Sequence, residues 1–189
     1  MWWSAARRGV LRPRSGDLLG TGPQDDGRDG YLLSPVVLQP QSRGTVRLVS
    51  ADPDDPPLVD PAHLTEPEDL AVLVHGLRAA LWISEQDALR SRTADRSPAP
   101  DSTDAELARH VRATAETLAH PAGTARSGAP DDPDAVLDER LRVRGVTGLR
   151  VADPSAAPVV TRGHPAPPAV VIAERAADLI LADLYWPPD

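Results

Sequence analysis

Proline sets the terms on which this chain can fold. Twenty-one of its 189 residues are Pro and 13 are Gly. Proline fixes φ and removes a backbone donor, so it interrupts helices and the interiors of sheets. The interruptions gather in ADPDDPPLVDPAH (51–63), SRTADRSPAPDS (91–102), GAPDDPD (128–134) and PSAAPVVTRGHPAPP (154–168). Each reads as turn or loop, and regular structure is expected between them.

Two short strands are expected first, SPVVLQ (34–39) and GTVRLVS (44–50). In the second, Val46, Leu48 and Ser50 share one face, and Arg47 and Val49 the other. Thr65-Glu66-Pro67-Glu68 has capping-box form with Pro inside the first turn. Behind it Leu70, Leu73, Val74, Leu77 and Leu81 make one apolar helical stripe. Thr103-Asp104-Ala105-Glu106 opens a second helix, and Leu107, Val111, Ala115 and Leu118 carry it to His120. AVLD and RLRV read as short extended pieces, and GLRVAD (148–153) as a Gly-bounded strand. A final helix is expected from about Ala169 to Tyr185, burying Val171, Ile172, Ala176, Leu179, Ile180 and Leu184. Residues 1–30 read as irregular.

Composition narrows the function classes. With 3% aromatics and no Phe, a core must be built from Leu, Val, Ile and Ala, which the 41% hydrophobic content permits. The net charge of −8, with no basic stripe interleaved with aromatics, argues against nucleic-acid binding. The absence of Cys rules out disulfides and thiolate chemistry. No apolar run approaches the ~20 residues of a membrane span. The start MWWSAARRGVLRPR lacks a signal peptide's apolar stretch, so a cytoplasmic protein is expected. Every basic residue is Arg and no Asn occurs, a bias expected of a high-GC bacterial genome.

The five histidines are scattered without His-x-x-x-His spacing, so no metal site is expected. His63 lies in a Pro-rich loop, and His75 and His110 flank apolar stripes; these read as structural or solvated. His120 in LAHPAGTARSG and His164 in TRGHPAPPAVVIAERAADLI each sit in a tight turn at the end of a regular element. Loops held by a scaffold commonly carry functional groups. A histidine there can exchange protons near neutral pH when burial or a partner tunes it.

The order of these segments resembles the C-terminal part of the glucose–methanol–choline (GMC) oxidoreductases. Pro40-Gln41-Ser42-Arg43-Gly44-Thr45-Val46-Arg47-Leu48 resembles that family's Pro-x-Ser-x-Gly-x-Val/Leu-x-Leu stretch, ahead of an Asp/Pro-rich loop and a helix. HPAGTARSG is similar to its His-Pro-x-Gly-Thr-Cys-Arg-Met-Gly segment, with Ala125 and Ser127 where Cys and Met are usual. AVLDERLRVRGVTGLRVADPSAAP resembles its Val-x-Asp-x-x-Leu-Arg-Val run. GHPAPPAVVIAERAADLI resembles its Gly-(Asn/His)-Thr-Asn-Ala-Pro and last helix, with Pro165-Ala166-Pro167-Pro168 after the histidine. The resemblance covers about residues 31–185.

What the resemblance implies is an α+β fold: an antiparallel-sheet substrate-binding portion with flanking helices (31–144), then the closing strand and terminal helix of an incomplete FAD-binding α/β domain (145–189). It implies FAD-dependent oxidation of an alcohol, with His120 as the base that takes the hydroxyl proton and His164 as the supporting residue. Asp153 and Ala166 would lie beside the flavin. The family's G-x-G-x-x-G unit has no counterpart in residues 1–30, so the chain reads as the C-terminal part of a longer enzyme. It would bind no FAD alone and would act with the missing half, which a separate chain could supply. The alternative is a truncated non-catalytic remnant or interaction module.

Overall fold

The computed structural model describes residues 2–5 and 31–185. The chain is mixed α/β, with two small antiparallel sheets and four α-helices among the described residues. It divides into two compact units, Met1–Arg43 with Ala62–Ala119, and Gly44–Pro61 with His120–Asp189.

In the first unit, β1 (Trp2–Ala5) pairs antiparallel with β2 (Tyr31–Ser34), Trp2 opposite Ser34 and Ala5 opposite Tyr31. The expectation of an irregular 1–30 therefore fails at Trp2–Ala5 and otherwise lies outside the described residues. The strand expected over 34–39 instead ends at Ser34, because Pro35 brings no N–H to a ladder. Helix α1 (Pro67–Ser84) packs on α3 (Asp104–Thr114) and on the short α2 (Asp87–Arg90). Among the described residues, Ala80, Leu81, Leu107 and Val111 are the buried apolar side chains of this unit. Burying each large one is worth roughly 1.5–3 kcal/mol.

The two helix starts differ. At α3, Thr103 accepts from Glu106 N–H, and the Glu106 carboxylate accepts from Thr103 N–H, completing the expected box. At α1 the box does not form: Glu66 is the N-cap and Thr65 Oγ1 donates to Ala62 O. Ser42 takes over, accepting from Glu66 N–H at 3.1 Å. Buried Asp69 accepts from Gln41 N–H, Ser42 N–H and Ser42 Oγ–H at 2.8, 2.9 and 2.5 Å. Burial alone would raise the Asp69 pKa; these bonds outweigh it and hold the carboxyl below its usual range. Helix α3 stops at Thr114 rather than running to His120, since Ala115 turns extended at ψ 133°.

In the second unit, β3 (Thr45–Arg47) pairs with β4 (Leu58–Asp60), Val46 opposite Val59. β4 lies inside the Asp/Pro-rich stretch expected to hold no regular structure; the three residues between Pro57 and Pro61 suffice for this ladder. Gly44 permits it, because a Cβ there would fall 2.2 Å from Asp60 O. The strand expected over 148–153 is reduced to one antiparallel bridge, Arg142 with Arg150. Around it, short pieces lie side by side: Gly128 N–H donates to Leu137 O, Arg144 N–H to Val136 O, and Val143 N–H to Leu149 O. Fully buried Leu137 sits among them, and Ala135, Ala156, Ala176 and Leu179 complete the buried apolar set.

Helix α4 (Ala166–Tyr185) begins three residues before the expected Ala169, because prolines at 167 and 168 fit a helix's first turn, whose N–H groups need no partner within the helix. Arg140, Arg142 and Arg150 all pair with Asp183 near its other end. Of the side expected to be buried, only Ala176 and Leu179 are; Val171, Ile180 and Leu184 are exposed.

Candidate active site

His120 and His164 are 44 residues apart in sequence, and the second unit brings them together. Each arrives on an irregular segment braced by a neighbour. After His120-Pro121, the chain turns at Gly123, whose φ of +81° lies in the region glycine tolerates. It then lies along a 3-10 turn, Pro154–Ala156. Gly123 N–H donates to Pro154 O at 3.2 Å, Ala125 N–H to Ser155 O at 3.0 Å, and Ser127 N–H to Ala156 O at 3.0 Å. On its far side Arg126 makes a two-pronged pair with Asp132, at 2.5 and 2.9 Å. His164 stands two residues before α4, followed by Pro165. That helix's first hydrogen bond runs from Ala169 N–H to Pro165 O.

His120 Nε2 lies 2.9 Å from His164 Nδ1. The rings meet edge to face, with centroids 5.0 Å apart and planes at 87°. Such a contact holds one proton: one nitrogen donates and the other accepts. The pair opens onto a cleft of about 350 Å³ lined by His120, Pro154, His164, Pro165, Ala166 and Ala169. Among the described residues its walls are small and apolar, and the two imidazoles are the polar side chains that line it. An apolar group entering here would meet hydrocarbon, and a polar one would meet the two imidazoles.

Of the four residues singled out in the sequence, His120, His164 and Ala166 therefore meet at one cleft. Asp153 stands at its margin, exposed and outside the lining. Its carboxylate accepts from Ser155 N–H at 2.7 Å, and the hydrogen bonds to Ser155 hold its pKa below the usual carboxylate range. Pro154 lines the cleft too, although the sequence marked it only as loop. Asp153-Pro154-Ser155 does carry a readable signal, an N-cap followed by Pro. Among the described residues, no cluster of three or more His, Asp or Glu side chains could hold a metal ion, and no helix is long and apolar enough to cross a membrane.

A flat, largely apolar ring system fits this cleft along one edge. Ala166, Ala169 and Pro165 offer it hydrocarbon, and α4 presents its N-terminus. Of that first turn only Ala166 can offer an N–H without an intrahelical partner, since residues 167 and 168 are Pro. The described residues contain no parallel strand–helix–strand unit to hold a dinucleotide's pyrophosphate. The fit is thus to the ring end of such a cofactor.

Residues 40–173 match the family model of GMC oxidoreductases. The chain is 46% identical over 156 residues to choline oxidase of Arthrobacter globiformis, covering 80% of this chain and 29% of that protein. It is 39% identical over 155 residues to an alcohol dehydrogenase [acceptor] of Pseudomonas putida, covering 80% and 28%. Among solved structures, an FAD-dependent oxidoreductase from Chaetomium thermophilum superposes with a TM-score of 0.72 at 34% identity, covering 78% of this chain and 26% of that one. The chain thus spans under a third of the length of these relatives.

Proposed function

This chain belongs to the GMC oxidoreductase family, and from that premise we propose that it is the C-terminal portion of an FAD-dependent enzyme that oxidises the CH–OH group of an alcohol. The contact between His120 and His164 at an apolar cleft is the observation that carries this reading. His120 takes the hydroxyl proton, and His164 holds the oxygen as negative charge develops on it. Ala166 and Ala169 would lie against the ring of bound FAD, which would supply the hydride acceptor. Pro154 and Pro165 line that face with hydrocarbon. On this reading residues 31–144 serve substrate binding and 145–189 return to the FAD-binding domain, although the compact units divide the chain at other points.

A positioned base typically contributes ~10²–10⁴-fold. The test is to graft residues 31–189 onto the FAD-binding portion of a related enzyme and measure alcohol oxidation. His120→Ala should lower kcat/KM by roughly that factor, and His164→Ala should lower it too. His75→Ala, on the exposed flank of α1, should change little. A flavin-loaded, active graft that tolerates His120→Ala with less than about a tenfold loss, ~1.4 kcal/mol in barrier, removes the base assignment.

A second reading has its own observation. Pro167 and Pro168 leave the start of α4 with few donors for a ring carbonyl, which favours a non-catalytic interaction module. A graft that folds but retains no flavin would support it.

A further inference from the structure

We propose that Asp153 is a positioning residue for the histidine pair, acting through the 154–156 turn rather than by touching the reacting groups. The chain of contacts is short and continuous. Asp153 is the N-cap of that turn, and its Oδ1 accepts from Ser155 N–H at 2.7 Å. Ala156 N–H and Ala157 N–H close the turn onto Asp153 O and Pro154 O at 3.0 and 3.1 Å. The turn's three carbonyls, of Pro154, Ser155 and Ala156, then receive the N–H groups of Gly123, Ala125 and Ser127. Ser127 Oγ–H adds a second bond to Ala156 O at 3.1 Å.

This ladder registers the segment that begins at His120 against the turn whose first residue, Pro154, shares the cleft wall with both imidazoles. The fit is close as well as bonded. A Cβ on Gly123 would lie 3.3 Å from Ala157 O, so the segment sits against the end of the turn. Ala156 is buried under it. Without a cap, Ser155 N–H loses its partner, and a turn this short has little else to hold its shape. Three acceptors then move together, and His120 Nε2 moves relative to His164 Nδ1. The cap is a small part of the fold's stability, but it sets whether the hydrogen bond at 2.9 Å between the two rings persists. Hydrogen bonds from Ser155, its side chain first and its backbone N–H second, hold the Asp153 carboxyl below its usual range.

The inference deepens the alcohol-oxidising reading of the site, and its test needs no turnover, so it stands or falls separately. The full chain is labelled with ¹⁵N, and the imidazole nitrogens are followed by long-range ¹H–¹⁵N correlation. In the parent protein the His120 Nε2 and His164 Nδ1 signals should show the shared proton. Asp153→Ala should abolish that signature. Asp153→Asn, whose amide oxygen can still accept from Ser155 N–H, should restore it. Thr103→Ala serves as control, since it removes the cap of α3 in the other unit and lowers Tm without bearing on the 154–156 turn. Ring signals unchanged in Asp153→Ala, or moved as far by Thr103→Ala, overturn the proposal. If Asp153→Ala does not fold, amide exchange in the parent protein decides. Ser155, Gly123, Ala125 and Ser127 should exchange together as one unit, and Ser155 exchanging about tenfold or more faster than the other three refutes the coupling.

Discussion

His120 Nε2 and His164 Nδ1 share one proton across 2.9 Å, with the rings at 87°. On the proposed alcohol-oxidising reading, that bond occupies the lone pair a substrate hydroxyl would need. An alcohol oxygen that donates to one nitrogen and accepts from the other, with each bond near 2.8 Å, requires the nitrogens to stand roughly 4.5 Å apart. A structure of the complete enzyme with an unreactive alcohol analogue should therefore show the pair opened by about 1.5 Å with oxygen between the rings. An analogue bound with the imidazole pair still in direct contact would place the reacting hydroxyl elsewhere.

Three guanidinium groups, from Arg140, Arg142 and Arg150, converge on Asp183. Their hydrogen bonds, that of Arg142 foremost, pull the Asp183 carboxyl down from 3.8 to about 2. A carboxylate with a lowered folded-state pKa stabilises the fold fully above its unfolded value and loses that contribution as pH falls through the folded value. Asp183 should thus contribute its full share above about pH 4 and lose it towards pH 2. Asp183→Asn should lower Tm at neutral pH, leaving three cations crowded without their anion. The Tm gap between parent and variant should close on acidification from pH 5 to about 2. A gap that stays constant over that range would show the cluster to be energetically idle.

Asp69 is buried and satisfies two backbone N–H groups and a hydroxyl. Removing the acceptor loses three hydrogen bonds to a charged group, each worth about 1.5–3 kcal/mol at most and less for the half-exposed donors here. Asp69→Ala should cost about 2–4 kcal/mol in urea unfolding. Thr65→Ala, at the position where the sequence expects a cap and the structure has none, should stay within about 0.5 kcal/mol. Comparable losses from the two variants would contradict the cap made by Ser42 and Asp69.

That contrast marks what could be read in the sequence. Local signals were legible where they act locally. Thr103 and Glu106 lie three residues apart and form their box, and of the expected stripe Leu81 is buried while Leu70, Leu73, Val74 and Leu77 are half-buried. Thr65 carries a similar signature, but Ser42, 24 residues upstream of Glu66, takes the N–H instead; no local pattern announces such a partner. Ala115 and Leu118 continued the apolar spacing of α3 past its end at Thr114, because periodicity does not register where the backbone turns extended. Prolines at 167 and 168 were read as turn, although at a helix start they cost nothing. His120 and His164 were identified through family resemblance, whereas their contact depends on a ladder between segments about 30 residues apart. Asp153 was placed by resemblance near a flavin, and its hydrogen bond into the 154–156 turn is a separate, local fact that its Asp-Pro-Ser context encodes.

Helix α4 offers the sharpest separation of packing from exposed hydrophobicity. Leu179 is 5% exposed, whereas Leu184, five residues further along, is 71% exposed and Val171 is 67% exposed. Both leucines looked equally core-like in the sequence, since the helix is apolar on more than one side. Burial alone should decide their worth. Leu179→Ala removes buried methyl groups and leaves a cavity, so it should cost about 2–4 kcal/mol. Leu184→Gln removes only surface that water already reaches, and should change stability by no more than about 0.5 kcal/mol. The exposed apolar residues of α4 do favour association. Leu184→Gln should therefore reduce hydrophobic-dye binding and the proportion of oligomer seen in sedimentation velocity, while Leu179→Ala should raise dye binding as the fold loosens. If Leu184→Gln destabilises the chain as much as Leu179→Ala does, then Leu184 is packed in solution and the exposure of that face does not hold.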